Sequence, residues 1–264
     1  MSFVTATDGC PLHFDVAGDG LPLLLVPGLG GAASFWSAVV PHFAGRFRTI
    51  AVDHRGAGRN GRPEGSYSIG RIARDVIEVL DALGIETIDI VGHSTGGAIA
   101  QTLALDAPQR VRRLVLSGTW ARADARFRAL FEARIDTLLY AGAATYQKLT
   151  HVLGYTADWI ELHSESLDAA VAAAERNLAP LSVTAARIRM LLEFDRAAEL
   201  GRIAAPTLVI GAPDDMMVPY YHSQRLAAAI PGARLEPLEG GHFYPRVHPE
   251  RFAALVSGFL DGRR

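Results

Sequence analysis

The chain has 264 residues, 26 Lys and Arg against 28 Asp and Glu, a formal net charge of −2, and 49% hydrophobic residues. That fits one large α/β domain or two small ones with a sizeable core, and it excludes the concentrated basic face that nucleic-acid binding requires. With 26 glycines, 14 prolines and one cysteine, Cys10, the sequence is neither low-complexity nor disulfide-stapled, and no Cys/His cluster offers a zinc site.

Met1–Thr5 lacks a basic n-region. The longest apolar runs, such as Leu21–Val26, fall far short of the roughly 20 residues that a bilayer span needs. The expectation is a soluble cytoplasmic protein with no membrane partner. Leu12–Val16 alternates in hydrophobicity and is followed by a turn at Gly18-Asp19-Gly20. Leu23–Val26 is continuously apolar and ends at Pro27-Gly28, as suits a strand buried on both faces of a parallel sheet. Thr49–Val52 repeats the pattern and runs into Asp53-His54-Arg55-Gly56.

Ile69, Ile72, Ala73, Val76, Val79, Leu80 and Leu83 form a single helical stripe, with Gly84 at the C-terminal end where left-handed geometry favours glycine. Ile88–Val91 reads as another buried strand. Gly92-His93-Ser94-Thr95-Gly96-Gly97 and a small-residue helix to about Leu105 follow. Leu114–Leu116 and Leu208–Ile210 read as further strands and Phe252–Leu260 as a closing helix. Such alternation means βαβ units and a mostly parallel sheet. The stretch from about Thr119 to Leu200 breaks it. Ala121–Tyr140 and Leu167–Asn177 are helix-like, and Gly142 and Pro180 punctuate. An insertion of that size should cover the strand ends. The expected division is core over 1–118, helical cap over 119–200 and core again over 201–264.

Gly92-His93-Ser94-Thr95-Gly96 matches G-x-S-x-G, a pattern that composition alone would produce about 0.12 times in this chain. A strand before it and a helix after it are what a nucleophile elbow requires. An ordinary strand–helix turn with a capping serine is the competing reading. A serine nucleophile needs a base. Of nine histidines, His13 alternates on a strand, His93 fills a variable motif position, His151 and His163 belong to the insertion, and His248 precedes a helix at Pro249. His242, in Gly240-Gly241-His242-Phe243-Tyr244, lies on a glycine-flanked loop that can reach the sheet's C-terminal edge. The histidine in turn needs a carboxylate. Asp215 and Asp214 both stand just past Leu208–Ile210, and Asp214 also reads as a turn cap. The order Ser94, Asp215, His242 is the one that α/β hydrolases use. Backbone N–H groups for an oxyanion would come from Thr95 and from Leu29, in Val26-Pro27-Gly28-Leu29-Gly30-Gly31. That loop does not fit the dinucleotide fingerprint, and no Walker motif is present.

On these residues, with Asp53–Gly58 and Val218-Pro219, the chain resembles the α/β-hydrolase fold superfamily over nearly its whole length. The resemblance implies an α/β fold: a mostly parallel central sheet flanked by helices, with a helical cap inserted after the sixth strand. It implies a serine hydrolase that needs no metal and no cofactor. In that family an Asp four residues before the Pro is the triad acid, which selects Asp215. The alternative position, after Leu116-Ser117-Gly118-Thr119, offers no carboxylate. Pro27-Gly28 replaces the common His-Gly, a change that leaves the backbone donor in place. Family members that are haloalkane dehalogenases or epoxide hydrolases use an elbow aspartate, and position 94 is serine.

Within the superfamily the chain is most similar to aminoacrylate hydrolases of pyrimidine breakdown. The likeness rests on Leu29–Gly31 with Phe35-Trp36, on Asp53–Gly58, and on Leu138–Ala143 with Tyr155–Trp159. It is similar, less specifically, to enol-lactone hydrolases and small carboxylesterases. The expected substrate is a small ester, lactone, amide or enamine. C–C bond hydrolysis or cofactor-free oxidation by the same triad is the alternative within the fold, and a non-enzymatic small-molecule receptor is the alternative outside catalysis. Monomer and homodimer both stay open. Of the arginines Arg122, Arg126, Arg128, Arg134, Arg187, Arg189 and Arg196 in the insertion, at most one or two should face Ser94, where one would bind a substrate carboxylate bidentately. Trp120, Phe127, Trp159, Phe243 and Tyr244 are the candidate pocket aromatics, with Phe131 and Phe194 as further candidates, and more of these rings should pack as core than line a pocket.

Overall fold

The computed structural model describes residues 2–262. Eight strands form one sheet: β1 (Ser2–Thr5), β2 (Pro11–Ala17), β3 (Leu21–Val26), β4 (Phe47–Val52), β5 (Ile88–His93), β6 (Val111–Ser117), β7 (Thr207–Gly211) and β8 (Arg234–Pro237). Their order is β1-β2-β4-β3-β5-β6-β7-β8. The β1–β2 and β2–β4 pairings are antiparallel, and every other pairing is parallel. Strand β1, like β8, is an addition to the expected set. It is four residues long and mostly exposed, too short for an alternation signal to stand out.

The continuous apolar runs have the cause that the sequence suggests. In β3, Leu24 and Val26 pack with Ile50, Ile90 and Leu116 on one face, while Leu23 and Leu25 pack with Val91, Val115 and Ile210 on the other. With both faces buried, each strand is mostly apolar, and a polar residue that stays inside is partnered, as Asp89 is by Arg112. Helix α1 (Ile69–Ala82) places its stripe against the first of these cores, together with α2 (Thr95–Asp106). Ser68 caps α1 by accepting the Arg71 amide at 3.1 Å, and Gly84 closes it at φ +67°.

Five helices lie between β6 and β7: α3 (Ala125–Gly154), α4 (Ala157–Leu162), α5 (Ser164–Ala172), α6 (Ala174–Asn177) and α7 (Leu181–Glu193). Helix α3 starts at Ala125 rather than Ala121 because Asp124 caps the Phe127 amide at 3.0 Å. The residues before it are held extended, by a bridge between Arg122 and Asp195 and by the Arg196 amide on the Ala121 carbonyl at 2.9 Å. These contacts tie the two ends of the insertion together. Gly142, at φ +83°, breaks α3 into two runs. Helices α8 (Tyr221–Ala229), α9 (Tyr244–Val247) and α10 (Pro249–Leu260) complete the chain, and α10 packs Phe252, Val256 and Leu260 on the second core. No helix among the described residues is long and apolar enough to cross a membrane.

Candidate active site

Ser94 occupies the turn between β5 and α2 at φ +53° and ψ −118°, and among the described residues it is the only non-glycine with positive φ. Such geometry costs on the order of 1–3 kcal/mol and persists only where the surroundings enforce it. Here the Ser94 amide donates to the Ser117 carbonyl at 2.8 Å. The Ser94 carbonyl accepts from the Gly97 amide at 2.8 Å and the Thr119 hydroxyl at 2.7 Å. The flanking glycines are obligatory. A Cβ on Gly96 would fall on the Val26 carbonyl, and one on Gly92 on the Gly96 carbonyl.

His242 reaches the same edge on the loop after β8. Its Nδ1 lies 2.7 Å from Oδ2 of Asp215, with both side chains buried. Oδ1 of Asp215 accepts the Met217 and Val218 amides, each at 2.8 Å. The neighbouring carboxylate does something else. Asp214 accepts the Gly240 amide at 3.1 Å and the Gly241 amide at 2.9 Å, and so holds the loop that carries His242. Phe243 fastens that loop to α3, since its amide donates to the Gly154 carbonyl at 2.9 Å.

Ser94 and His242 border one cavity of about 330 Å³. Among the described residues no hydrogen bond joins the Ser94 hydroxyl to the His242 ring. In unliganded sites such contacts are commonly long and tighten on binding. Leu29 and Thr95 also border the cavity, and their amides have no acceptor among the described residues. The Leu29 loop is braced from β4. The Ala33 amide donates to Asp53 Oδ1 and the His54 amide to the Gly31 carbonyl, both at 2.7 Å. Asp53 Oδ2 takes the Arg59 amide at 3.0 Å and Arg59 Nε at 2.7 Å. The bracing role of Asp53 was not evident from its place after a strand.

His93 is more than a spacer. Its Nδ1 lies 3.0 Å from Ser117 Oγ, which lies 2.6 Å from the Tyr244 hydroxyl, which donates to the Ile210 carbonyl at 3.0 Å. Counting protons along this chain, Ser117 donates to Tyr244, and His93 donates from Nδ1 to Ser117. Its Nε2 has no partner among the described residues, and burial keeps the ring neutral, with its one proton on Nδ1. Burial, reinforced by His242 beside it, holds its pKa well below the ordinary 6.5.

The insertion supplies much of the remaining wall. Arg134, Arg187 and Arg246 border the cavity, and no Asp or Glu does among the described residues. Two of the three, Arg134 and Arg187, come from the insertion, and both are buried. Arg122, Arg126, Arg128, Arg189 and Arg196 lie away from the cavity; Arg196, for example, pairs with Asp106 and Glu199. Of the candidate aromatics, only Phe243 borders the cavity, joined by Phe131. Trp120 and Phe127 pack against each other, tilted by 35° with ring centres 4.5 Å apart, inside the core, where Phe194 also packs. Tyr244 is fully buried behind His93. Trp159 stacks between Tyr155 at 3.9 Å and His163 at 3.8 Å on the insertion. Large aromatic area is used for packing first. Phe35, Tyr146, His151 and Tyr155 border the cavity without having been singled out.

The model of the alpha/beta hydrolase fold family matches residues 22–249, which include every residue of this arrangement. The chain belongs to that family. A relative from Azorhizobium caulinodans that carries the name carbamate hydrolase RutD is 39% identical over 249 residues, covering 94% of each chain. A hydrolase from Pseudomonas aeruginosa superposes with a TM-score of 0.89 at 31% identity, over 98% of this chain and 97% of that one. The enol-lactonase from Burkholderia xenovorans superposes with a TM-score of 0.90 at 25% identity, over 98% of this chain and all of that one. The protein is a hydrolase of the α/β-hydrolase fold.

Proposed function

We propose that this hydrolase cleaves a small carboxylate-bearing substrate, with an ester, lactone, amide or enamine-type bond, through a covalent intermediate on Ser94. With an ester, lactone or amide the Ser94 hydroxyl attacks the substrate carbonyl while His242 takes its proton. An enamine has no acyl carbon, and there Ser94 would add to the carbon of its imine tautomer, the amine would leave, and water would release the carbonyl product. The Leu29 and Thr95 amides receive the oxyanion that forms. His242 then returns the proton to the leaving group, and water, deprotonated by His242, hydrolyses the acyl-enzyme. Asp215 holds the imidazole with its proton on Nδ1, so that Nε2 is free to act as base.

The observation that carries this reading is the convergence of a strained serine, a carboxylate-held imidazole and two unpartnered amides on one cavity. A wall with three arginines and no carboxylate favours a negatively charged substrate. A volume of about 330 Å³ suits a small molecule. The relatives' names, carbamate hydrolase and enol-lactonase, are in keeping with hydrolysis at such a carbon. The helices over 119–200 act as the cap, which sets the substrate while the sheet edge supplies the chemistry.

The test is Ser94→Ala assayed on 4-nitrophenyl acetate. The reading predicts a loss of at least about 10³-fold in kcat, with an unchanged circular dichroism spectrum. Residual activity within tenfold of the parent would point to another nucleophile.

A further inference from the structure

Three arginines border the cavity, and their surroundings differ. Arg246 is exposed, with its guanidinium 5.9 Å from the Tyr155 ring centre. Arg134 is buried and, like Arg187, has no carboxylate partner and an unpartnered Nε among the described residues, but its terminal nitrogens are well served. It donates to the Tyr146 hydroxyl at 3.0 Å and the Thr150 hydroxyl at 2.9 Å, and it lies against the Phe131 and Tyr146 rings at 5.1 and 4.9 Å. With Nη1 also 3.5 Å from Met217 Sδ, these contacts make it a brace between α3 and the loop after β7. Arg187, on α7, is buried and poorly served. Its contacts are the Gly56 carbonyl at 3.3 Å and His54 Nδ1 at 3.4 Å, and Nε has no partner. No carboxylate pairs with it among the described residues. Burial pulls its pKa down to about 10, so at neutral pH it remains a cation, without a counter-ion, inside the cavity wall.

The position of Arg187 relative to the reacting atoms follows from strand order. Its neighbours Gly31, His54 and Gly56 lie on the loops after β3 and β4. A Cβ on Gly31 or Gly56 would run into the Arg187 side chain, so these loops are shaped around it. In the sheet β4 and β3 stand on one side of β5, which carries Ser94, and β6, β7 and β8 stand on the other. Asp215 and His242 follow β7 and β8. The leaving group must lie on the His242 flank, because His242 protonates it. The acyl group then extends toward the opposite flank, past the Leu29 amide.

We infer that the anionic group recognised by this hydrolase belongs to the acyl half of the substrate and is bound by Arg187. This rests on the reading of Ser94 and His242 as nucleophile and base, and it adds which half of the substrate bears the charge. The substrate class is a short-chain acid derivative whose acyl part ends in a carboxylate. His54 supports the arrangement. Burial and Arg187 itself keep it neutral, so Nδ1 accepts from the guanidinium and adds no competing charge.

Three esters separate the possibilities in a pH-stat assay of the parent enzyme. Monoethyl succinate carries the charge on the acyl half, ethyl butanoate is its uncharged counterpart with a methyl in place of the carboxylate, and O-acetylglycolate carries the charge on the leaving half. The inference expects kcat/KM for monoethyl succinate to exceed that for ethyl butanoate by about 10- to 100-fold, the range of a buried charge-assisted pair, with no such gain for O-acetylglycolate. In Arg187→Met the succinate-to-butanoate ratio should fall to near one, and Arg187→Lys should recover part of it. Equal rates on monoethyl succinate and ethyl butanoate, or preference for the charged leaving group, would overturn the inference. So would an Arg187→Met enzyme that loses stability but keeps the ratio. Ser94→Ala tests the underlying reading separately, because it should silence all three esters whichever half carries the charge.

Discussion

Replacing Asp215 with asparagine changes one atom, and the structure dictates how that change is read. Oδ1 of Asp215 receives two amides, from Met217 and Val218, each at 2.8 Å, and Oδ2 faces His242 Nδ1 at 2.7 Å. An asparagine must leave its carbonyl oxygen with the two amides, since turning its NH₂ toward them would set donor against donor. Its NH₂ is then directed at Nδ1. The imidazole can satisfy that donor only by accepting at Nδ1, which moves its proton to Nε2. A ring protonated at Nε2 cannot take the proton of Ser94. The loss should approach the roughly 10⁴-fold known for the equivalent tautomer reversal in serine proteases. The stability change should be small by comparison, because the cavity-side packing is unaltered and the amide contacts survive. Steady-state kcat on 4-nitrophenyl acetate, with a thermal melt in parallel, measures both. An Asp215→Asn enzyme with more than a tenth of the parent kcat would refute the reasoning, because an imidazole with the wrong tautomer cannot sustain that rate.

Other perturbations follow from the same geometry. Asp53→Asn sets an NH₂ against the Ala33 amide or the Arg59 donors, so urea denaturation should register a loss of about 3 kcal/mol, and a change under 1 kcal/mol would remove Asp53 from its bracing role. A Cβ on Gly154 would overlap the Phe243 ring. Gly154→Ala should therefore cost about 1–3 kcal/mol and lower kcat by shifting the His242 loop, and Phe243→Leu in the same chain should restore stability. His54 and His93 are buried with pKa values depressed well below 6.5, mainly by burial. Below pH 6.5 the unfolded chain takes up protons that the folded chain refuses, so stability is lost as pH falls, by up to about 1.4 kcal/mol per unit for each histidine. Urea midpoints between pH 7 and 5 measure the slope, and His54→Gln should flatten it; an identical slope in that variant would exclude His54 as a contributor.

The parts of the molecule legible in the sequence are those whose signal is local. The Ser94 turn announces itself because two glycines are sterically required within five residues, and the buried strands because both faces are packed and only a partnered polar residue such as Asp89 can sit there. Gly142 and Gly84 marked helix breaks for the same reason of backbone geometry. Asp215 and Asp214 were harder. Adjacent in sequence, they differ only in what meets them, His242 for one and the Gly240 and Gly241 amides for the other. The cavity wall was mostly not legible. Trp120 and Phe127 stand where a pocket aromatic would, but helical spacing does not say which of two buried sides a ring takes, and they pack on each other. Arg187 was one of seven equivalent arginines. What distinguishes it is Gly56, 131 residues away in sequence, and no window of sequence contains that contact.

Catalysis by this arrangement requires the Ser94 Oγ to become covalently bonded during turnover. Treatment with a fluorophosphonate, followed by peptide mass analysis, tests it directly. The account predicts one equivalent of adduct on the peptide containing Ser94, loss of activity in step with labelling, and no adduct in Ser94→Ala. Full inactivation with the label on a different residue, or an unlabelled Ser94 in an enzyme that has lost its activity, would contradict it.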